Sequence, residues 1–370
     1  MENLLLYKIT KMVLLFFLIL SKFICCNLKC KRDLIDHQSE IIQVPYNNLT
    51  RRTVDGFKIN VNIPDGLSQI KYLINRAVNF FEVSISNVVN EIGSFKIKQC
   101  NPWNDNTEDI IFDGNFDLFI NFENTTYECD DKTTIAYELT CHRTQNGRPF
   151  NTYIAICNHF FDYDEHHKYL TLLHEIFHAL GFEKESFRLF PEKNRFKKMF
   201  PGYFNKGCLG NKYRNGKRIN TFFCNSAVQY VRKFFDCKHL NHVELYGSHL
   251  SDRMFHDQLM TGFLDITTGV QKIYNSNLAM SILKDSGWYI IEGEFQDGKF
   301  GAKEGCDFVR KSCFQYWKKT QIDKYFCFKK DCWMFKYDKA LPEPFRYFND
   351  PTVGGYPSMD YCPLKKDYWK

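Results

Sequence analysis

The chain has 370 residues, with 49 lysine and arginine residues against 43 acidic ones, and a formal net charge of +6. This length is enough for two or three structural units around a substantial core, and the composition is that of a globular protein, which excludes an intrinsically disordered chain. Because basic and acidic residues are interspersed and the excess is small, we expect no nucleic-acid partner.

The first residues are typical of a secretory signal. Two lysines precede the apolar run 12–20, and Cys25 and Cys26 are small residues near a cleavage point. The run is short for a membrane-spanning helix, although a signal anchor is the alternative interpretation. Residues 363–370 lack the hydrophobic tail that a lipid-anchor signal needs. We therefore expect residues 1–26 to be a signal peptide and the protein to be extracellular or at the cell surface, either free or membrane-associated.

The fifteen cysteines fit an oxidising compartment. Cys25 and Cys26 fall within the expected signal, which leaves Cys30 and twelve others. The twelve can form six disulfides, whose pairing the sequence does not determine, and Cys30 is then the odd one. Sequons at Asn48 and Asn124 indicate glycosylation and are compatible with secretion.

Hydrophobic periodicity predicts a mixed fold in the first half of the chain. Phe57–Ile63 alternates apolar and polar residues, which predicts a half-buried strand. An amphipathic pattern that starts at Leu67 predicts a helix to about Ile92. Further strands are expected near residues 95–100, 117–122, 134–139 and 153–157. With one more helix after them, this order predicts an α+β fold in which a mixed sheet is backed by two long helices.

The second long helix is predicted at residues 169–182. Leu173, Phe177 and Leu180 recur at helical spacing and give it an apolar face. Asp164 is a suitable N-cap, and the helix can end at Gly181, because glycine accepts the left-handed conformation without steric cost.

His174 and His178 stand four residues apart, so both imidazoles project from the same face of this helix. That spacing lets two neutral nitrogens bind one Zn²⁺. Glu175 lies beside them and can reach a water on the metal without itself being a ligand. The pattern is the HExxH signature of a zinc peptidase. The alternative is a solvated helix with two unrelated histidines, and the apolar surroundings argue against it.

Catalytic zinc commonly takes three protein ligands, so a third residue is needed. The candidates that follow the helix are His239, His242, His249 and His256. For those that are not ligands, the ordinary interpretation is a surface histidine.

Two features of this region resemble the metzincin peptidases. Most metzincins carry the third histidine six residues after the second, and that position is Lys184 here. Metzincins also have a methionine in a tight turn beneath the zinc, which Met260 resembles. His249 follows the turn-like Gly247–Ser248 and precedes Met260 by eleven residues. We therefore predict His249 as the third ligand, with His256 as its best rival.

The chain resembles one family of metzincins in particular. Segments 174–182, 247–249 and 259–262 resemble the leishmanolysin family, in which an insertion of some tens of residues displaces the third histidine. Cysteine-containing segments before the helix and near the C-terminus are similar as well, so that the resemblance covers about residues 57–363. It implies a metzincin-type zincin catalytic domain of the α+β class with a disulfide-rich C-terminal region.

The resemblance also implies a division of the chain. The expected parts are a signal peptide (1–26), a propeptide-like segment (27–52), an N-terminal catalytic subdomain that ends in the HExxH helix (53–182), a subdomain with the insertion, third histidine and Met-turn (183–290), and a cysteine-rich C-terminal region (291–370). Leishmanolysins carry a propeptide cysteine whose thiolate occupies the zinc position until activation, and Cys30 is the candidate here. The alternative for Cys30 is a disulfide with another cysteine.

The function that the resemblance implies is that of a zinc-dependent endopeptidase. His174, His178 and His249 hold one Zn²⁺ in this interpretation, and Met260 shapes the floor of the site. Glu175 acts as the general base toward the attacking water and passes the proton to the departing amine.

Proteins or peptides are the substrates that this function implies. An extended peptide would add to the edge strand expected near residues 134–139. Two alternatives stay open at this point. One is a non-proteolytic adhesion protein that keeps the fold, and the other is a zinc hydrolase, such as an amidase, for a bond other than the peptide bond. The sequence does not determine the oligomeric state.

Overall fold

The computed structural model of the chain describes residues 27–29, 39–41, 56–89, 93–191, 207–265, 276–329 and 340–365, except for residues 105, 114, 127, 130–133, 215, 344 and 356. The strands are β1 (Asn27–Lys29), β2 (Glu40–Ile41), β3 (Ile59–Asn62), β4 (Ile85–Val88), β5 (Phe95–Lys98), β6 (Asp109–Phe112), β7 (Leu118–Thr125), β8 (Ala136–Arg143), β9 (Pro149–Cys157), β10 (Leu209–Arg214), β11 (Lys217–Phe222), β12 (Val243–Tyr246), β13 (His249–Leu250), β14 (Phe263–Asp265) and β15 (Tyr289–Ile291). The α-helices are α1 (Lys71–Ser84), α2 (Glu165–Ala179), α3 (Lys184–Leu189), α4 (Asn225–Phe235), α5 (Asp252–Phe255), α6 (Asn277–Asp285), α7 (Gly305–Arg310) and α8 (Cys313–Thr320).

A five-stranded mixed sheet, in the order β2-β8-β9-β7-β3, forms the first half of the fold. Strands β3, β7 and β9 run parallel, and β8 runs antiparallel to β9. Strand β9 lies in the middle and is buried along its whole length, as expected for a strand covered on both faces. The α+β class predicted from the sequence is confirmed.

Helices α1 and α2 pack against each other and against this sheet. Phe81 of α1 and Phe177 of α2 meet edge to face, with ring centroids 4.8 Å apart. Helix α2 is buried from Tyr169 to Ala179, so other parts of the protein cover it on all sides. Its predicted N-cap is confirmed, because the Asp164 carboxylate accepts a hydrogen bond from the backbone N–H of His167 at 2.9 Å.

The predicted extent of the first helix was wrong at its C-terminal end. Helix α1 ends at Ser84 rather than near Ile92, and Ile85–Val88 forms strand β4, which pairs with β15. Branched side chains such as Ile85 and Val88 favour extended backbone, and a partner strand from far along the chain decides the outcome. Strand β6, the partner of β5 in a hairpin, was not predicted either.

A second, antiparallel sheet in the order β10-β11-β12-β13 follows helix α3. It carries His249 in β13 at one edge. Helix α4 packs beside it, with Ala227, Val231 and Phe235 buried in the common core. The sheet therefore brings the late candidate ligand into the same body of the protein as helix α2.

Disulfides connect most of these elements. The pairs are Cys100–Cys141, Cys129–Cys157, Cys208–Cys224, Cys237–Cys306 and Cys313–Cys362. Cys327 is disulfide-bonded as well. Eleven of the twelve cysteines expected to pair are described and disulfide-bonded. The twelfth, Cys332, lies outside the described residues, as do Cys25, Cys26 and Cys30.

A buried network of charges attaches the C-terminal segment to the second sheet. Arg214 of β10 binds both carboxylate oxygens of Glu244 in β12, at 2.6 and 3.0 Å, and also binds Asp360 through Nε at 3.1 Å. Lys217 binds the second oxygen of Asp360 at 2.8 Å. Burial alone would raise the pKa of Asp360, but Arg214 and Lys217 outweigh it and hold that pKa below its ordinary value.

Asp360→Asn should destabilise the fold by about 3 kcal/mol near neutral pH, because it removes one of two carboxylates from a buried arginine. The pKa of Asp360 is lower in the folded state than in the unfolded state. The contribution of Asp360 to the free energy of unfolding is therefore complete above the unfolded pKa, about 4, and is lost as the pH falls through the folded pKa. Urea denaturation of both proteins should give a free-energy difference that stays constant from pH 7 to about pH 5 and shrinks below about pH 4. A difference that does not depend on pH would contradict this account.

Candidate metal centre

Helix α2 presents His174 and His178 on one face, one turn apart and both buried. Their imidazole rings meet edge to face, with centroids 4.7 Å apart. The capped N-terminus of the helix and its packing against α1 fix the position of both rings. Gly181, at φ +95°, then turns the chain away immediately after the second ring.

A short hairpin in the second sheet positions His249. Strands β12 and β13 are joined by Gly247 and Ser248, and Tyr246 pairs with His249 across the turn. The backbone N–H of the next residue, Leu250, donates to the carbonyl of Met260 at 2.8 Å. His249 is therefore held by the hairpin on one side and by the methionine turn on the other.

The three imidazoles converge on one point. The Nε2 atom of His178 lies 3.0 Å from Nε2 of His174 and 3.2 Å from Nε2 of His249. In a tetrahedral zinc site with Zn–N bonds of about 2.0–2.1 Å, two ligand nitrogens stand roughly 3.3 Å apart. The spacing of this cluster fits such an ion. Among the residues that the structure describes, it is the one group of three metal-ligating side chains close enough to share an ion.

Backbone carbonyls determine which nitrogen of each helical histidine faces the centre of the cluster. His174 Nδ1 lies 2.9 Å from the carbonyl of Leu259, and His178 Nδ1 lies 2.6 Å from the carbonyl of Phe182. A carbonyl can only accept, so each Nδ1 carries the proton and each Nε2 presents its lone pair to the other histidines. This is the outer-shell arrangement usual for metal-binding histidine.

The predicted Met-turn lies directly beside the third histidine. Met260 is buried, and a bond from the N–H of Gln258 to the carbonyl of Phe255, at 2.8 Å, closes the turn before it. A Cβ atom added at Gly262 would lie 3.5 Å from Cγ of His249, so this residue packs against the ligand ring. Met260 does not belong to the cluster of metal-ligating side chains.

The remaining candidates lie elsewhere. His256 is buried, with Nδ1 3.7 Å from a carboxylate oxygen of Asp252 and its ring beside Phe300. His242 is buried next to Lys212, and burial lowers its pKa. His239 is exposed. The structure thus brings His249, and not these three, to the ring nitrogens of helix α2.

Glu175 follows His174 on α2 and is buried as well. Its position one residue after a ligand turns its carboxylate about 100° around the helix from His174. It therefore does not share the face that both histidines occupy. The arrangement of the three histidines can hold a metal.

The leishmanolysin family model, peptidase family M8, matches residues 91–370, which is more than half of the chain and includes the whole histidine cluster. The chain belongs to the leishmanolysin family. The resemblance predicted from its sequence segments is thereby confirmed, and the α+β fold agrees with a leishmanolysin-type metallopeptidase domain.

Curated members of the leishmanolysin family are similar over much of the chain. A leishmanolysin-like peptidase of Caenorhabditis elegans is 25% identical over 70% of this chain and 49% of the relative. The one of Caenorhabditis briggsae is 24% identical with the same coverage. Leishmanolysin of Leishmania tropica is 24% identical over 64% of this chain and 37% of the relative. The chain therefore spans about half the length, or less, of these relatives.

Sequence reasoning missed the groups that orient the ligands. They are the carbonyls of Leu259 and Phe182, and backbone atoms leave no trace in residue identity. Only the places of these two residues in the sequence could have pointed to them. Leu259 directly precedes the methionine of the turn, and Phe182 directly follows the glycine that ends the helix.

His249→Gln should weaken the binding of Zn²⁺ at least about 100-fold, because it removes one of three ligands from the ion. His256→Gln should leave the affinity within about threefold, since His256 lies outside the cluster. Competition of the full chain with a chromogenic chelator measures both affinities. If His256→Gln caused the larger loss, the assignment of the third ligand would be wrong.

Proposed function

We propose that this protein is a zinc-dependent endopeptidase that hydrolyses peptide bonds in extracellular or surface proteins. The observation that carries the proposal is the convergence of three buried imidazoles, His174, His178 and His249, beside Glu175. It occurs in a chain that belongs to a metallopeptidase family.

The donor set favours zinc. Three neutral imidazole nitrogens suit Zn²⁺, whereas Ca²⁺ and Mg²⁺ prefer oxygen ligands. Three protein ligands also leave one tetrahedral position for water or substrate. When bound, the ion supplies Lewis acidity, which polarises the scissile carbonyl and makes the attacking water more acidic.

The protein's own contribution to the chemistry is the carboxylate of Glu175. It holds the attacking water by a hydrogen bond and accepts its proton as the new C–O bond forms. It then donates this proton to the nitrogen of the departing amine, so that no free amide anion has to leave. The rigid, buried helix α2 keeps the carboxylate in place for both transfers.

Strand β8 is the proposed site for the substrate backbone. It lies at one side of the five-stranded sheet and packs against α2. On its outer side it pairs with the two-residue strand β2 at His142 and Arg143. The preceding part of β8, from Ala136, corresponds to the edge strand predicted near residues 134–139. An extended peptide that added there would pass beside the metal ligands.

Glu175→Gln should lower the rate of cleavage of an unfolded protein substrate about 10²- to 10⁴-fold, because the variant cannot accept the proton of the water. Its zinc content should equal that of the wild type. The matched control is Glu165→Gln, an exposed residue in the first turn of the same helix, which should retain activity.

Chelation of the metal should abolish wild-type cleavage, and added Zn²⁺ should restore it. Retained activity in Glu175→Gln would contradict the mechanism. A wild-type chain that, after proteolytic removal of its N-terminal segment, binds zinc and cleaves no member of a peptide library would instead indicate the non-proteolytic adhesion function.

We further propose that Cys30 blocks the zinc site before activation. Cys30 lies outside the described residues, but the residue before it, Lys29 in β1, pairs with Phe263 in β14. Phe263 follows Gly262, which packs against the His249 ring. Strand β1 is therefore attached very near the proposed third ligand, and a thiolate is a good zinc ligand.

Cys30→Ala should make the full chain active without proteolytic activation, whereas the wild type should need removal of the N-terminal segment. Cleavage of a fluorogenic peptide by the intact chains measures this difference. Cys30→Ala combined with Glu175→Gln should stay inactive, which excludes a contaminating protease. Equal activity of the intact wild type and Cys30→Ala would show that Cys30 has another role.

The proposed location is the extracellular space or the cell surface. The disulfides fit an oxidising compartment, and the sequon residue Asn124 is exposed at the end of β7. In the described part of the chain, no helix has the length and apolar character needed to cross a membrane.

A further inference from the structure

A buried ion pair lies beside the metal centre and takes no part in the chemistry proposed above. Arg143, at the end of β8, binds the carboxylate of Glu183, and the two side chains are 1% and 0% exposed. Glu183 lies between α2 and α3, five residues after the ligand His178. The pair therefore joins the proposed substrate strand to the exit of the metal-binding helix.

The three consecutive residues of segment 182–184 each make one contact with another part of the fold. The carbonyl of Phe182 accepts the Nδ1 hydrogen of His178 at 2.6 Å. The side chain of Glu183 binds Arg143. The backbone N–H of Lys184 donates to Oγ of Ser248, the residue before His249, at 3.1 Å. A displacement of this segment would therefore move the groups that hold two of the three ligands.

Several hydrogen bonds fix the position of the Arg143 side chain. One terminal nitrogen donates to the carbonyl of Gly147 at 3.1 Å and to Oγ of Ser186 at 2.8 Å. Its Nε donates to Oγ of Ser39 at 2.7 Å. Ser186 also donates to Glu183, at 3.0 Å. Because a planar guanidinium with several acceptors has little freedom, Arg143 can fix the position of Glu183.

We propose that the Arg143–Glu183 pair positions the metal ligands. It holds segment 182–184 so that the Phe182 carbonyl orients His178 and the Lys184 N–H holds Ser248 beside His249. The proposal rests on the metal site proposed above but not on the peptidase activity. Loss of the pair would leave a buried charge without its partner, and the segment would shift to relieve it.

The test measures zinc affinity in the full chain, in a Glu175→Gln background that prevents self-digestion. Glu183→Gln should weaken Zn²⁺ binding about 10- to 100-fold, the usual effect of disturbing the groups behind metal ligands. Arg143→Lys keeps the charge and should lose less. Ser248→Ala removes one of the two connections to the ligands and should also lose less than Glu183→Gln. Absorption spectra with Co²⁺ should change in the same order.

Asp360→Asn is the matched control, because it also removes a carboxylate from a buried arginine but far along the chain from segment 182–184. It should lower the melting temperature of the metal-free protein and leave zinc affinity within about threefold. The proposal is overturned if Glu183→Gln behaves in the same way. If Glu183→Gln does not fold, unchanged affinity in both Arg143→Lys and Ser248→Ala overturns it.

Discussion

The candidate metal centre depends on two hydrogen bonds from ring nitrogens to backbone carbonyls, His174 to Leu259 and His178 to Phe182. A buried imidazole is costly unless its polar atoms are bonded, so these contacts let two histidines occupy an apolar core. They also set the tautomer that turns each Nε2 toward the centre. One bond is local to the helix exit and the other spans 85 residues, so the site forms only when both halves of the fold are in place.

The distant third histidine is compatible with a rigid site because the described parts of the intervening chain have fixed connections of their own. The entropic cost of closing a loop grows slowly with its length, so a long insertion destabilises the fold less than its size suggests. The disulfide Cys208–Cys224 closes part of the insertion, and the ion pair Arg214–Glu244 joins two strands of the second sheet. The hairpin that carries His249 thus belongs to a sheet with its own internal support.

The sequence was informative wherever a signal was local. Periodicity, the Asp164 cap and Gly181 defined helix α2 to within a few residues, and the HExxH spacing identified two members of the cluster. Local signals failed where a distant partner decided the outcome. Ile85–Val88 continues an amphipathic pattern but pairs with β15, some 200 residues later. The same reason explains why the sequence did not predict the disulfide pairing, the Arg143–Glu183 pair or the carbonyl acceptors. Each depends on which residues lie close together in the folded protein.

The contacts at position 184 show how the candidate third ligand, His249, remains connected to the helix. Most metzincins have their third histidine there, and this chain has Lys184, whose side chain cannot replace it. The backbone at this position nevertheless contacts the neighbour of the actual candidate, because its N–H donates to Ser248. The geometric relation between the helix exit and the third imidazole is therefore maintained by the main chain. This backbone contact requires that segment 182–184 keep its position, whatever side chain residue 184 carries. The buried pair Arg143–Glu183 is placed to hold that segment.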